Sequence, residues 1–346
     1  MTRQRLMPSE TAPHERTWMA FPCDGYVLSG SAERRNEGLR MWSTVANAIS
    51  KYESLSMIVD PSMMRVARDC LESSIDLHSH ALNDCWMRDI GPSFVAVSDD
   101  AGAVTLDAVD WTFNGWGAQH WARWNHDAQI GRHVAQLADS TVTSSPIVLE
   151  GGGFHVDGRG TAIMTQTVAL DPERNPEATR EDIERAFHEL LGVTTIIWLP
   201  EGLTGDYGEF GTRGHVDILA CMPDAETVLV HEQRNPHHPD YRVSQQTMKI
   251  LSHARNSQGK QLNVIALPAP SNGFNPDGSP NDYSYINHYV ANGAVFACVF
   301  DDPNDAQAVE ILASAYPGRT IVPIQARPLF ERGGGIHCIT QQQPAV

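Results

Sequence analysis

The residue with the clearest chemical potential is Cys338, which follows three consecutive glycines that end at Gly335. Consecutive glycines let the backbone approach another group closely, because no Cβ stands in the way. The β-branched residues around the cysteine, among them Ile339 and Thr340, favour a short strand. We therefore expect Cys338 near the start of a strand that enters through a glycine-lined gap, a suitable place for a nucleophile. The alternative for a single cysteine is a small, inert core thiol.

A histidine and a carboxylate have a spacing that suits acid–base chemistry in the segment 211–222. His215 and Asp217 are two residues apart, so in a strand their side chains point to one face. An imidazole beside a carboxylate makes a credible proton-transfer unit. The alternative is the solvated face of an edge strand, which the apolar neighbours Val216 and Ile218 disfavour.

Two further carboxylates stand beside glycine-rich turns. Glu150 ends an apolar strand and precedes three glycines, an arrangement typical of a binding site. Asp89 follows Arg88 and precedes a Gly-Pro pair, where a solvated surface turn is an equally good interpretation. Asp157 is followed by Gly158, which predicts a hairpin turn and a structural role for this aspartate.

Composition limits the class of protein. The 346 residues carry a formal net charge of -17, which disfavours nucleic acid as a partner and is compatible with a small cationic substrate. The six cysteines include no C-x-x-C pair, the 15 histidines include no H-E-x-x-H motif, and we expect no metal. The N-terminus lacks an apolar signal core and no long apolar run exists, so we expect a cytoplasmic protein with reduced thiols and no membrane association.

A helix followed by a short apolar strand recurs five times, and these elements must position the polar residues. The predicted pairs are 37–51 with 55–59, 127–139 with 146–149, 179–191 with 194–199, 240–256 with 262–267, and 304–316 with 320–324. Further strands are predicted at 94–98, 103–109, 161–167, 216–222, 227–231 and 293–300. A unit repeated every roughly 50–90 residues favours a closed ring of five α/β units in one domain, residues 1–346. The alternative, an open doubly wound sheet, usually has a glycine-rich loop after its first strand, whereas 55–59 runs into Asp60 and Pro61.

With these segments laid out, the sequence resembles the agmatine deiminases and the bacterial-type peptidyl-arginine deiminases, which belong to the guanidine-modifying, or pentein, superfamily. The resemblance runs nearly end to end. Its motifs are Trp86-Met87-Arg88-Asp89-Ile90-Gly91-Pro92, Phe113-Asn114-Gly115-Trp116-Gly117, Glu150-Gly151-Gly152, Gly214-His215-Val216-Asp217, Ala291-Asn292-Gly293-Ala294 and the segment 333–342. It implies a five-bladed α/β propeller, with pseudo-fivefold ββαβ-type units around a central active site.

The resemblance implies a catalytic role for five residues. Cys338 matches the nucleophile and His215 matches the general acid/base. Asp89 and Asp217 match carboxylates that hold a guanidinium group, and Glu150 matches the acid beside the histidine. A guanidinium is planar and cationic, so opposed carboxylates grip it through paired, charge-assisted hydrogen bonds. Resonance makes its carbon a poor electrophile, so a thiolate suits the attack.

The predicted substrate-binding residues add to this set. They are Asp89, Asp217 and Glu150 together with Trp86, Arg213 and Gly335. Trp86 matches a pocket wall of the family, whereas Arg213 ends a stretch, 205–213, that is longer than in agmatine-specific members. An arginine at the far end of the substrate suits a carboxylate, as in free arginine, while Asp206 and Glu209 suit an amine.

The resemblance implies a hydrolase that works through a covalent amidino-cysteine and needs no cofactor or metal. The implied reaction converts agmatine and water into N-carbamoylputrescine and ammonia, a step of polyamine biosynthesis. A deiminase of free or peptidyl arginine, an amidinotransferase, and a catalytically silent binding protein of the same fold stay open as alternatives. A homodimer is an expectation from the family alone.

Overall fold

The structure is a computed structural model that describes residues 4–346. The first three residues, which the prediction of one domain over 1–346 includes, lie outside the described residues. In this range the strands are β1 (Gln4–Leu6), β2 (His14–Ala20), β3 (Leu55–Val59), β4 (Asp76–Ser79), β5 (Ser93–Ser98), β6 (Val104–Thr112), β7 (Thr141–Val148), β8 (Phe154–Val156), β9 (Thr161–Thr165), β10 (Thr195–Leu199), β11 (Ala220–Cys221), β12 (Thr227–Glu232), β13 (Asn263–Pro268), β14 (Tyr289–Ala291), β15 (Ala294–Val299), β16 (Thr320–Gln325) and β17 (Thr340–Pro344).

The helices of the same residues lie between these strands. They are α1 (Ala32–Ile49), α2 (Met64–Cys70), α3 (Met87–Ile90), α4 (Gly115–Ala118), α5 (Ile130–Leu137), α6 (Gln166–Ala169), α7 (Arg180–Leu191), α8 (Asp240–His253), α9 (Asp305–Ala315) and α10 (Arg327–Phe330). Short 3-10 turns add to them, including Gly151–Gly153 and Val216–Ile218. None of the helices in residues 4–346 combines the length and apolar character that a membrane crossing requires.

Five small sheets repeat one connection pattern. The sheets are β17-β2-β3-β4, β1-β5-β6-β7, β8-β9-β10, β11-β12-β13 and β14-β15-β16. In each of them one strand pairs antiparallel with a second strand, and that second strand pairs parallel with a third. A parallel pair needs a crossover, which α1, α5, α7, α8 and α9 supply. The predicted five-bladed α/β propeller is confirmed, and each predicted helix–strand pair corresponds to one of these crossovers.

The ends of the chain close the ring. Strand β17, near the C-terminus, pairs antiparallel with β2, near the N-terminus, so that Thr340 lies opposite Met19. This pairing holds the segment that carries Cys338 against the first blade.

Local sequence signals explain where the crossovers begin and end. Helix α7 begins at a capping box in which Thr179 and Asp182 bond each other's backbone N–H groups. It ends at Gly192, whose φ of 70° is left-handed. A Cβ at this position would lie 1.9 Å from the carbonyl oxygen of Arg5, so the helix end packs on β1 only as glycine.

One predicted strand is wrong. The segment 216–222 was expected to be extended, but Val216–Ile218 forms a 3-10 turn and only Ala220–Cys221 pairs as a strand. The backbone N–H of Leu219 bonds the carbonyl of Val216, which closes this turn. β-Propensity measures how well a residue fits a pleated surface, and here the buried contacts of Asp217 and its neighbours override it.

Candidate active site

Equivalent positions of the five blades supply the polar residues at the centre of the ring. Asp89, Glu150, Asp217, Asn287 and Cys338 each lie a few residues before the strand that opens a blade's antiparallel pair: β5, β8, β11, β14 and β17. All five are buried. Because equivalent positions of a pseudo-fivefold ring meet around its axis, residues distant in sequence converge in one place.

The thiol of Cys338 lies in a turn two residues before β17, close to the expected strand start but outside the strand. The side-chain amide of Asn287 donates to Sγ at 3.2 Å, and Asp217 Oδ2 lies 3.5 Å from Sγ. Burial, and then the charges of Asp217 and Asp89, raise the pKa of the Cys338 thiol well above its ordinary value. These surroundings therefore favour the neutral thiol, and a cation bound beside Asp217 and Asp89 would favour the thiolate.

The imidazole of His215 lies between two carboxylates. Its Nε2 is 3.2 Å from Glu150 Oε2, and its Nδ1 is 3.9 Å from Asp89 Oδ1. Burial disfavours the charged ring, but Asp89 and Glu150 outweigh it and raise the pKa of His215 to about 9. The ring therefore carries a proton that it can deliver at neutral pH.

Glu150 and Asp89 differ in how well their charges are compensated. Burial opposes the ionisation of Glu150, but Arg174 and His215 outweigh it and lower the pKa of this carboxyl to about 2. Asp89 accepts hydrogen bonds from Trp116 Nε1 at 2.8 Å and from Gly152 N at 3.1 Å. Burial raises the pKa of Asp89 to about 6, and repulsion from neighbouring carboxylates adds to it against the opposing charge of His215.

Two glycines permit this crowding. A Cβ on Gly152 would lie 2.6 Å from His215 Nδ1 and 3.1 Å from Asp89 Oδ1, so only glycine lets these side chains converge. A Cβ on Gly335 would lie 2.5 Å from Asn287 Oδ1, which would displace the amide that contacts Cys338.

A buried network of charged side chains packs behind Asp217. Most of its members were not among the residues predicted from the sequence. His337 lies between Asp217 Oδ2 and Glu10 Oε1, each 2.8 Å from a ring nitrogen. Arg88 Nη1 lies 3.3 Å from the same Glu10 oxygen. Burial and Arg88 oppose protonation of His337, but Glu10 and Asp217 outweigh them and raise the pKa of this ring above its ordinary value. The position of His337 next to Cys338 was the available signal, whereas nothing in the sequence connected it to Glu10.

The thiol opens on a narrow space with aromatic walls. A cavity of about 20 Å³ is lined by Trp86, Asp89, Trp116, Phe210 and Cys338 among others. An outer cavity of about 560 Å³ shares Tyr26, Phe210 and Gly333 with it. Tyr26 and Phe210 stack with ring centroids 4.5 Å apart where the two spaces meet. Trp86 lines the inner space, and its contact with a substrate stays a prediction.

Four of the six predicted binding residues lie outside the lining of the small cavity: Asp217, Glu150, Arg213 and Gly335. Arg213 Nη1 lies 3.1 Å from Asp171 Oδ2, so a carboxylate of the protein already compensates this guanidinium. Gly335 packs against the Asn287 amide, and contact of either residue with substrate stays a prediction. Asp157 occupies the predicted turn, where Oδ1 accepts from the N–H groups of Arg159 and Thr161. In residues 4–346, no group of three or more His, Cys, Asp or Glu side chains is arranged to hold a metal ion.

Comparisons with known proteins identify the family of the chain. The profile of the Porphyromonas-type peptidyl-arginine deiminase family matches residues 6–344. A Streptomyces coelicolor protein described as "Putative agmatine deiminase" is 51% identical over 338 residues, which cover 98% of each chain. The agmatine deiminase of Ectopseudomonas mendocina is 35% identical, over 98% of this chain and 95% of its own. The solved structure of Enterococcus faecalis agmatine deiminase superposes with a TM-score of 0.88 at 29% identity, covering 99% of this chain and 96% of that chain. The chain therefore belongs to the Porphyromonas-type peptidyl-arginine deiminase family.

Proposed function

We propose that this protein is a hydrolase that deiminates agmatine, giving N-carbamoylputrescine and ammonia, with Cys338 as the nucleophile. The observation that carries the proposal is the convergence of a thiol, a charged imidazole and three carboxylates at the centre of the ring, from four different blades. The family membership and the names of the most similar relatives support the same reaction.

The geometry supports an order of steps for these residues. A bound guanidinium between Asp89 and Asp217 offsets the two charges that raise the pKa of Cys338, which favours the thiolate. Cys338 Sγ then bonds to the guanidinium carbon. His215 gives its proton to one amino group, the carbon–nitrogen bond breaks, and ammonia leaves. Water, deprotonated by the now neutral His215, attacks the amidino carbon, the carbon–sulfur bond breaks, and the ureido product is released with Cys338 restored.

The charges around the entrance favour agmatine over arginine. The outer cavity is lined by Glu209, Asp277, Asp282 and Glu331, with Arg34 as the cation among its lining residues. These carboxylates suit a substrate that ends in an ammonium group and disfavour one that ends in a carboxylate. The pairing of Arg213 with Asp171 removes the main argument for arginine as substrate.

Ammonia release from agmatine, free arginine and a blocked peptidyl arginine tests this function. We expect the highest kcat/KM with agmatine, and incorporation of ¹⁸O from labelled water into the ureido product. Preference for arginine would refute the choice of substrate. Turnover that requires an added amine, with no ¹⁸O in the product, would identify an amidinotransferase instead. Ammonia from none of the three would refute the deiminase.

Three further properties are proposed with this function. The six cysteines are all free thiols, which supports a reducing, cytoplasmic location. The net charge of -17 supports a protein without a nucleic-acid partner. A homodimer is proposed from the family resemblance, and light scattering coupled to size-exclusion chromatography tests it by measuring the mass in solution.

A further inference from the structure

Arg174 is a buried arginine that contacts the candidate site from behind Glu150. Its side chain is fully buried, and its Nε lies 3.0 and 3.1 Å from the two oxygens of Glu150. Nη1 donates to Asp171 Oδ2 at 2.8 Å, and Nη2 donates to the carbonyl of Thr212 at 2.8 Å. Each nitrogen of the guanidinium therefore has a separate partner.

Two of the partners of Arg174, Glu150 and Thr212, belong to segments that contact His215. Glu150 opens the third blade and contacts His215 Nε2 at 3.2 Å. Thr212 lies three residues before His215, and its hydroxyl lies 3.2 Å from the His215 backbone nitrogen. The planar guanidinium of Arg174 thus fixes both the Glu150 carboxylate and the loop that carries His215.

We propose that Arg174 is a positioning residue for the deimination, which holds Glu150 ionised and fixed against His215 so that the imidazole keeps the proton it delivers. The inference rests on the proposed function. Arg174 touches neither Cys338 nor the small cavity, so it acts through Glu150 and His215.

The surrounding charges make the arginine necessary. The charged groups that act on Glu150 or His215 are Asp89, Asp206, Asp217 and Arg174, and Asp171 pairs with Arg174. Arg213 pairs with Asp171, which leaves Arg174 as the cation that contacts Glu150 besides His215. Without Arg174 the carboxylates repel one another, the pKa of Glu150 rises from about 2, and protonation of Glu150 removes the charge that holds the proton on His215.

The test compares kcat against pH for wild type, Arg174→Met, Glu150→Gln and the double variant, with agmatine as substrate. We expect Arg174→Met to lower kcat by about two orders of magnitude or more, and to move the acid limb of its pH profile upward by about one pH unit or more. In the Glu150→Gln background the same change should cost less than about threefold, because neither charge is then left unpaired. Arg5→Met is the matched control, because Arg5 is also paired with an aspartate, Asp107, and contacts no residue of the site.

The outcomes distinguish a positioning role of Arg174 from a purely structural one. An unchanged pH profile in Arg174→Met, with an effect that adds fully to that of Glu150→Gln, would mean that Arg174 has only a structural role. If the Met variant does not fold, Arg174→Lys supplies the test. Lysine keeps the charge and makes fewer bonds, so kcat should fall while the acid limb stays in place, and a shifted limb would refute the inference. A wild type that is inactive on all guanidines would refute the proposed function itself.

Discussion

Replacing Asp89 by asparagine is the most direct test of how the site holds a guanidinium. Both oxygens of Asp89 accept hydrogen bonds, from Trp116 Nε1 at 2.8 Å and from Gly152 N at 3.1 Å. Asparagine has one acceptor oxygen and an amino group, so one of these N–H donors would face another donor. The substitution also removes the negative charge that a guanidinium requires.

The expected loss of kcat/KM in Asp89→Asn follows from the burial of the Asp89 carboxylate. Asp89 is 4% exposed. Breaking a buried, hydrogen-bonded charge pair costs about 3–5 kcal/mol, which corresponds to roughly two to three decades or more in kcat/KM. Asp217→Asn should lose at least as much, since its Oδ2 also holds His337 at 2.8 Å. Asp157→Asn is the matched control, because Asp157 is equally buried and accepts from two backbone N–H groups in a turn away from the site.

The pH dependence adds a second measurement on the same variants. Burial raises the pKa of Asp89 to about 6, so the free enzyme carries a proton there at lower pH and must lose it to bind a cation. Wild-type kcat/KM should therefore fall about tenfold per pH unit below this pKa. In Asp89→Asn this fall of kcat/KM at low pH should disappear. Asp157→Asn should keep the fall, together with most of its activity. Comparable, small losses at positions 89, 157 and 217 would refute the guanidinium clamp.

Two other predictions concern the nucleophile and metals. Cys338→Ala should lower kcat by about three orders of magnitude or more while the protein stays folded, and mass spectrometry of quenched wild type should find an amidino adduct on Cys338. An adduct on Cys85 or Cys221, or robust turnover of the alanine variant, would contradict this assignment. Prolonged treatment with a chelator should leave the rate intact, because the proposed chemistry uses a thiol, an imidazole and carboxylates, and a loss that a divalent ion restores would refute it.

The fold was predictable because the signals that define it are local. Each crossover helix has helical periodicity and each following strand is a short apolar run, so both were found from the sequence to within a few residues. The conformation of 215–218 was not predictable in the same way, because its 3-10 turn depends on contacts with residues far away in the chain. His215 and Asp217, which the pattern placed on one face of a strand, nevertheless both lie beside Gly152, and the charge of Asp217 acts on His215.

The partners of the site were harder to predict than the site itself. Cys338, Glu150 and Asp217 stand beside glycines or interrupt apolar runs, which made them visible. Neither signal distinguishes Asn287 or Glu10, because an asparagine before a strand and a glutamate in a loop are common in proteins of any function. For Asn287 the fivefold repeat was the unused signal, since every other blade already had a polar residue before the strand that opens its antiparallel pair.

The distribution of charged side chains explains why the site suits a cationic ligand. Glu150 has Arg174 at 3.0 Å, and Asp217 has His337 at 2.8 Å, so each has a buried counter-ion of its own. Asp89 has no such partner, because His215 Nδ1 is 3.9 Å away and shares its charge with Glu150. The raised pKa of Asp89, against the lowered pKa values of the other two carboxyls, reflects this difference. Asp89 is therefore the least compensated of these carboxylates, and a guanidinium bound there completes the charge balance beside the thiol.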